Sequence, residues 1–121
     1  TRSVISMLEK VVTTEGTGIK AAVTGYRVAG KTGTARKAGA GGYAGDRHTA
    51  VFAGLVPASD PRLVIVVVVD EPKGGVYYGG DVSAPVFSVV AASLKKKLAV
   101  PPDAADPVAD KPLTKLASSS P

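Results

Sequence analysis

The 121-residue chain contains no Cys, no Trp, no Asn and no Gln, and its one His is His48. Without Cys there is no disulfide framework, no thiol nucleophile and no thiolate metal site. One His cannot build a His-based zinc centre, and it argues against a Ser-His-Asp triad. No metal and no cofactor are therefore expected. Long apolar runs are also lacking. The longest is the seven residues from Leu63 to Val69, against the ~20 needed to cross a bilayer. Neither a signal-peptide pattern nor an initiator Met opens the chain, so Thr1 reads as the cut end of a longer protein. Aromatic residues are few: four Tyr and two Phe, not interleaved with the basic residues. That makes a poor stacking platform, and nucleic acid is not an expected partner. Acidic residues are outnumbered 10 to 15, and the excess lies within the first fifty positions. It reads either as a solvated basic surface or as a local positive potential that attracts an anionic ligand.

The apolar pattern supplies the elements. Val4, Ile5, Leu8, Val11 and Val12 fall at helical spacing over residues 3–14, with Ser3 as the cap and Glu15-Gly16-Thr17-Gly18 as the stop. Residues 26–36 read as extended. Residues 38–46 hold four glycines and read as a loop. His48 to Pro57 is apolar on both alternating faces, and 62–71 is a near-continuous Val/Ile run, so both read as strands covered on both sides. The short Ser59-Asp60-Pro61 turn joins them as an antiparallel hairpin. Residues 73–81 form a Gly- and Tyr-rich loop. Ser83 then caps a second helix with Pro85 in its first turn and an apolar stripe of Phe87, Val90, Ala91, Leu94 and Leu98. Lys95, Lys96 and Lys97 occupy its last turn, where cations suit the helix dipole. Residues 99–121 are rich in Pro, Ala, Asp and Ser and read as a flexible tail. The expected fold class is α+β: helix, three antiparallel strands, helix, over residues 1–98, followed by the tail. Two helices cannot cover both faces of so apolar a sheet, so further chain is expected to supply the rest.

Three motifs carry possible chemistry. Gly25 to Thr32 matches the phosphate-binding pattern G-x-x-x-x-G-K-[ST], and Asp70-Glu71 ends an apolar strand as a magnesium-holding pair would. A helix must open at the Lys of that motif, yet glycines follow Lys31, so a nucleotide-binding module is only the alternative reading. Ser93-Leu94-Lys95-Lys96 matches the Ser-x-x-Lys of penicillin-reactive serine enzymes. It sits at a helix C-terminus, whose negative potential opposes a serine alkoxide. Lys31-Thr32-Gly33-Thr34 places two hydroxyls two residues apart on one face of a strand beside a cation, a good cradle for a carboxylate. Gly33 removes a side chain where another element could approach.

Tyr26 to Arg36, Phe52 to Ala58, Pro61-Arg62, Val66 to Pro72, Tyr78-Gly79-Gly80 and Val82 to Phe87 follow one another in an order that closely resembles the C-terminal part of the transpeptidase domain of class B penicillin-binding proteins, the division type above all. The resemblance covers residues 1–100 and none of the tail beyond. It implies part of a serine β-lactamase/transpeptidase-like fold and a role in septal peptidoglycan cross-linking. It also implies binding of stem peptides ending in D-Ala-D-Ala and of β-lactams, division proteins as partners, and a place on the periplasmic side of the inner membrane with the anchor elsewhere. Lys31 would join the charged network around the nucleophile. Thr32 and Thr34 would hold the substrate carboxylate, and the Thr34 N–H would be one oxyanion donor. Gly33 would belong to the same strand, with Tyr77 and Tyr78 as a hydrophobic wall. The family also needs a Ser-x-x-Lys nucleophile motif and a Ser-x-Asn motif, both N-terminal to this part. A chain without Asn cannot hold the second, and its only Ser-x-x-Lys stands out of order. The chain is therefore expected to be inactive alone, with the remainder of the domain as its partner. A non-catalytic ligand-binding domain of the same fold is a further alternative.

Overall fold

The computed structural model describes residues 1–13, 15–39 and 42–104. In chain order these form helix α1 (Arg2–Val11), a 3-10 turn (Ile19–Ala21), strands β1 (Ala29–Gly39), β2 (Gly42–Val56) and β3 (Leu63–Asp70), a one-turn helix α2 (Gly79–Val82) and helix α3 (Ala84–Lys97). The three strands make one antiparallel sheet in the order β1-β2-β3, so β1 and β3 are both edges. Among the described residues no helix is long and apolar enough to cross a membrane.

One sheet face makes the core. Phe52 and Val56 of β2 point to it, opposite Val67 and Leu63 of β3. They pack with Ala84, Phe87 and Ala91 of α3 and with Val12, Ala21, Val23 and Val28. Phe52 and Phe87 meet edge to face at 4.9 Å between ring centres, the arrangement that aromatic quadrupoles favour. The opposite face has a different character. Val64, Val66 and Val68 of β3 alternate outward and are 75%, 59% and 59% exposed. Among the described residues the helices thus cover one face only, as expected of two helices, and the other face stays exposed.

Several boundaries move. The glycine-rich stretch 38–46 is largely strand rather than loop: Ala38 pairs with Tyr43 and Gly39 with Gly42, after a register shift between Arg36 and Ala38. Hydrogen bonding of the main chain continues there although glycine offers no side-chain pattern to announce it. β1 accordingly runs Ala29–Gly39 instead of 26–36. Ser3 does not cap α1, because the helix already starts at Arg2 behind Thr1, whose carbonyl accepts the Ile5 N–H. Ser83 stands at the start of α3 but makes no cap bond, since α2 runs directly into α3 and leaves it helical. Its buried hydroxyl donates instead to the Ala50 carbonyl at 2.9 Å, tying the helix to β2. Of the expected apolar stripe, Phe87 and Ala91 are buried, whereas Val90 and the C-cap Leu98 are exposed. The loop expected over 73–81 contains α2, which is too short to leave a periodic signal.

The first residues of the expected tail are held by Tyr26, Arg27 and Ser59, just outside the strands; 105–121 lie outside the described residues. Val100 is buried, and its carbonyl accepts a hydrogen bond from the Tyr26 hydroxyl. Asp103 receives the Ser59 hydroxyl at 2.6 Å, the Arg27 N–H at 2.6 Å and the Ser59 N–H at 3.2 Å. Burial pushes this carboxyl upward, but those hydrogen bonds and the Arg27 charge outweigh it and hold the Asp103 pKa below the usual carboxylate value. The fold therefore binds the ionised form. Its contribution is fully present above the ordinary carboxylate range and is lost as pH falls through the lowered value. Asp103→Asn is expected to melt below the parent at about pH 7, with the gap closing in acid as pH falls through the lowered carboxyl value. Thermal unfolding at neutral and at acid pH checks this, and a gap that persists in acid would rule out the carboxylate as its source.

Candidate active site

Lys31-Thr32-Gly33-Thr34 lies in the middle of edge strand β1, not at a helix start. That removes the phosphate-loop reading, which needs a helix opening at Lys31 to aim its N–H groups at phosphates. Register assigns the faces. Thr32 and Thr34 stand opposite Phe52 and Ala50, on the side of α2 and α3. Lys31 and Gly33 stand opposite Ala53 and Val51, on the side of the exposed valines.

Each threonine hydroxyl has a partner behind it. The Gly79 N–H donates to Thr34 Oγ1 at 3.0 Å. A backbone N–H can only donate, so the Thr34 proton is left to point elsewhere. Thr32 Oγ1 lies 3.0 Å from Thr17 Oγ1. Thr17, Thr32, Thr34, Tyr78, Gly79, Gly80 and Asp81 line one cavity of about 250 Å³. Asp81 in its wall is paired with Lys20 at 2.8 Å, which offsets the repulsion an incoming anion would meet there.

The tyrosines separate. Tyr78 lines the threonine cavity, whereas Tyr77 lies over His48, with ring centres 3.9 Å apart and planes 14° from parallel. Tyr77 belongs to a second cavity of about 500 Å³ with Arg47, His48, Glu71, Pro72, Lys73, Gly74 and Gly75. The two rings remain neighbours at 4.6 Å. The hydrogen bond between the two hydroxyls, with a charge effect from Tyr77, raises the Tyr78 pKa. At the base of this loop Glu71 holds a left-handed φ of 52°, its N–H bonded to the His48 carbonyl. Lys37 reaches Asp70 at 3.0 Å and Glu71 at 3.7 Å, and the Asp70 bond holds its ammonium above the ordinary lysine value.

Lys31 bends to the Thr32 carbonyl at 3.1 Å and has no carboxylate partner among the described residues. Gly33 has only ordinary space around the position of an added side chain, 3.7 Å from Val51 Cβ. The close approach expected there involves Gly79 instead, whose own added carbon would stand 2.6 Å from the Gly33 carbonyl oxygen. The structure thus gathers Thr32, Thr34 and Tyr78, sets Tyr77 beside them on His48, and turns Lys31 and Gly33 to the open face. Sequence reasoning missed Thr17, Gly79 and His48. The Gly-Thr-Gly around Thr17 and the Tyr-Gly-Gly that opens α2 were the available signals, since paired glycines mark close backbone contact. Among the described residues no cluster of His, Asp and Glu is disposed to hold a metal.

Residues 1–92 match the family described as penicillin binding protein transpeptidase domain. The chain is 47% identical over 103 residues to the peptidoglycan D,D-transpeptidase FtsI of Escherichia coli K12, covering 85% of this chain and 18% of that protein. It is 48% identical over 95 residues to the stage V sporulation protein D of Bacillus subtilis, covering 78% and 15%. The apo structure of the transpeptidase domain from Burkholderia pseudomallei penicillin-binding protein 3 superposes with a TM-score of 0.78 at 47% identity, over 86% of this chain and 31% of that one. The chain therefore spans less than a fifth of these curated relatives and about a third of the solved domain. The three-stranded antiparallel sheet with its flanking helices is the α+β arrangement of that neighbour, and the chain belongs to the penicillin-binding protein transpeptidase-domain family, of whose domain it represents a part.

Proposed function

We propose that the chain is the carboxylate-binding portion of a peptidoglycan D,D-transpeptidase, the part of the active site that holds substrate while a serine from the rest of the domain does the chemistry. The observation that carries this reading is the Thr34 hydroxyl, whose acceptor lone pair is taken by the Gly79 N–H so that its proton is left for an anion in the cavity. Thr32 supplies a second hydroxyl, and Lys31, on the other face of the strand, joins the charged network around the nucleophile. As an edge strand, β1 leaves alternate backbone groups without a strand partner, and the Thr34 N–H serves as one of two oxyanion donors. Such a donor is typically worth ~3–4 kcal/mol of barrier. Gly33 keeps the strand bare on the Lys31 side, while Tyr77 and Tyr78 wall the cleft.

In the complete domain the serine oxygen attacks the penultimate D-Ala carbonyl of a stem peptide. The peptide C–N bond breaks and D-Ala leaves with a proton on its amine. An amine of a neighbouring strand then attacks the acyl-serine ester, forms the cross-link and returns the proton to the serine oxygen. A β-lactam enters by the same attack but keeps its leaving nitrogen tethered. The substrate places the reaction on the periplasmic face of the inner membrane, with division proteins as partners. The rest of the transpeptidase domain, which supplies the nucleophile, is the first partner this chain requires.

A fluorescent penicillin tests the reading. The 121-residue chain should remain unlabelled on a denaturing gel and by intact mass. A protein extended N-terminally by the rest of the transpeptidase domain should carry one covalent label. Label on the short chain would make Ser93 the nucleophile and overturn the incomplete-site argument. An unlabelled extended protein would remove the transpeptidase reading altogether.

A further inference from the structure

We infer that Thr17, in the turn between α1 and the 3-10 segment, is a positioning residue of the carboxylate cradle that sets the direction of the Thr32 hydroxyl. The inference rests on the reading of Thr32 and Thr34 given above. Thr17 is flanked by glycines, and both are needed. A side chain at Gly16 would run into the Val11 and Lys10 carbonyls at the end of α1. One at Gly18 would stand 3.0 Å from the Phe52 ring, while the Gly18 N–H bonds the Val11 carbonyl at 2.7 Å. The chain thus folds back tightly on α1 and on the core, with Thr17 carried between the two contacts. Its carbonyl lies against Gly80, where an added side chain would collide with it. Its hydroxyl meets Thr32 Oγ1 at 3.0 Å. Thr17 is therefore held by its backbone on two sides and presents its side chain to the cavity that Thr32, Thr34 and Tyr78 also line.

A hydroxyl has one proton and two acceptor lone pairs. Thr34 has its direction set by Gly79, which can only donate. The Thr17–Thr32 pair has no such built-in polarity, since either oxygen can give the proton. An anion entering the cavity settles it. Thr17 donates to Thr32, Thr32 donates to the carboxylate, and each bond polarises the next. The two cradle hydroxyls are then served alike, one by a backbone N–H and the other by a side-chain O–H. Without the Thr17 hydroxyl, Thr32 keeps its proton but loses the group that orients it.

The test uses the extended protein and compares acylation by a carboxylate-bearing penicillin with acylation by its methyl ester, which lacks the anion. Thr17→Val keeps the shape and removes the hydroxyl. It should slow the carboxylate form about five-fold, the worth of one ordinary hydrogen bond, and leave the ester rate and the melting temperature unchanged. Thr17→Ser should restore the parent rate. Equal slowing of both reagents would reduce Thr17 to a structural role, and no slowing, or a Ser variant as slow as Val, would equally overturn the inference. An extended parent that takes no label would show that the functional reading had failed first, and the inference with it.

Discussion

Gly79→Ala is expected to unseat the whole segment that carries the tyrosines. Gly79 is buried at the start of α2. An added carbon would stand 2.6 Å from the Gly33 carbonyl oxygen, 3.1 Å from the Gly33 nitrogen and closer still to the Val51 carbonyl oxygen. All three are main-chain atoms of the paired strands β1 and β2, so none can step aside without opening the sheet. The helix must lift instead. Lifting breaks the Gly79 N–H bond to Thr34, shifts Tyr78 from the cavity and disturbs the Tyr77 stack on His48. Overpacking of this kind costs typically ~1–3 kcal/mol, and rigid backbone on the receiving side places the effect at about 3 kcal/mol. That is a large share of the ~5–15 kcal/mol of a typical domain. Gly33→Ala is the control. Its added carbon meets nothing nearer than Val51 Cβ at 3.7 Å, so it should cost less than about 0.5 kcal/mol in the isolated chain. Urea midpoints of the two variants and the parent decide the matter. Equal destabilisation by both would mean that α2 does not sit on the strands as described.

The contrast between these two glycines shows what a sequence carries and what it hides. The Lys-Thr-Gly-Thr pattern put two hydroxyls on one face of a strand because strand alternation is local. It also drew the eye to Gly33, although the close approach is made by a residue forty-six positions away. Thr17 was equally hidden: it reads as part of a helix stop, and its partner lies fifteen residues on. The Val/Ile run of β3 announced a strand but concealed which side is covered, since every position is apolar and only packing separates Ile65 and Val67 from Val64 and Val66. The start of β2 left no trace because its pairing, Gly42 with Gly39 and Tyr43 with Ala38, is made by main-chain atoms among glycines. The hairpin of β2 and β3 and the body of α3 were legible, because there the apolar pattern and the turn chemistry agree.

Val66→Asp is expected to be nearly silent in this chain and ruinous in the extended protein. Val64, Val66 and Val68 form an apolar row on an edge strand, beside Leu55, Ala53 and Val51 of β2. Natural proteins seldom leave such an edge bare, because unpaired backbone and apolar side chains invite association. Lys31 shares this face and finds no carboxylate among the described residues. An uncovered apolar row and an unmatched ammonium on one face call for the same remedy: a covering element that brings apolar side chains and a polar partner for Lys31. We propose that the rest of the transpeptidase domain is that element, the chain matching 31% of its solved neighbour. Burying the three valines would contribute roughly 1.5–2 kcal/mol each. In the isolated chain Val66 is 59% exposed, and an Asp there should cost less than about 1 kcal/mol, from strand preference alone. In the extended protein the same Asp loses the valine contact and carries an unpaired carboxylate into an apolar interface, a penalty of several kcal/mol. Urea unfolding of both forms, with penicillin labelling of the extended one, measures the difference. If Val66→Asp is equally mild in both, the face stays open in the complete domain, and Lys31 must meet its partners from the edge of β1 instead.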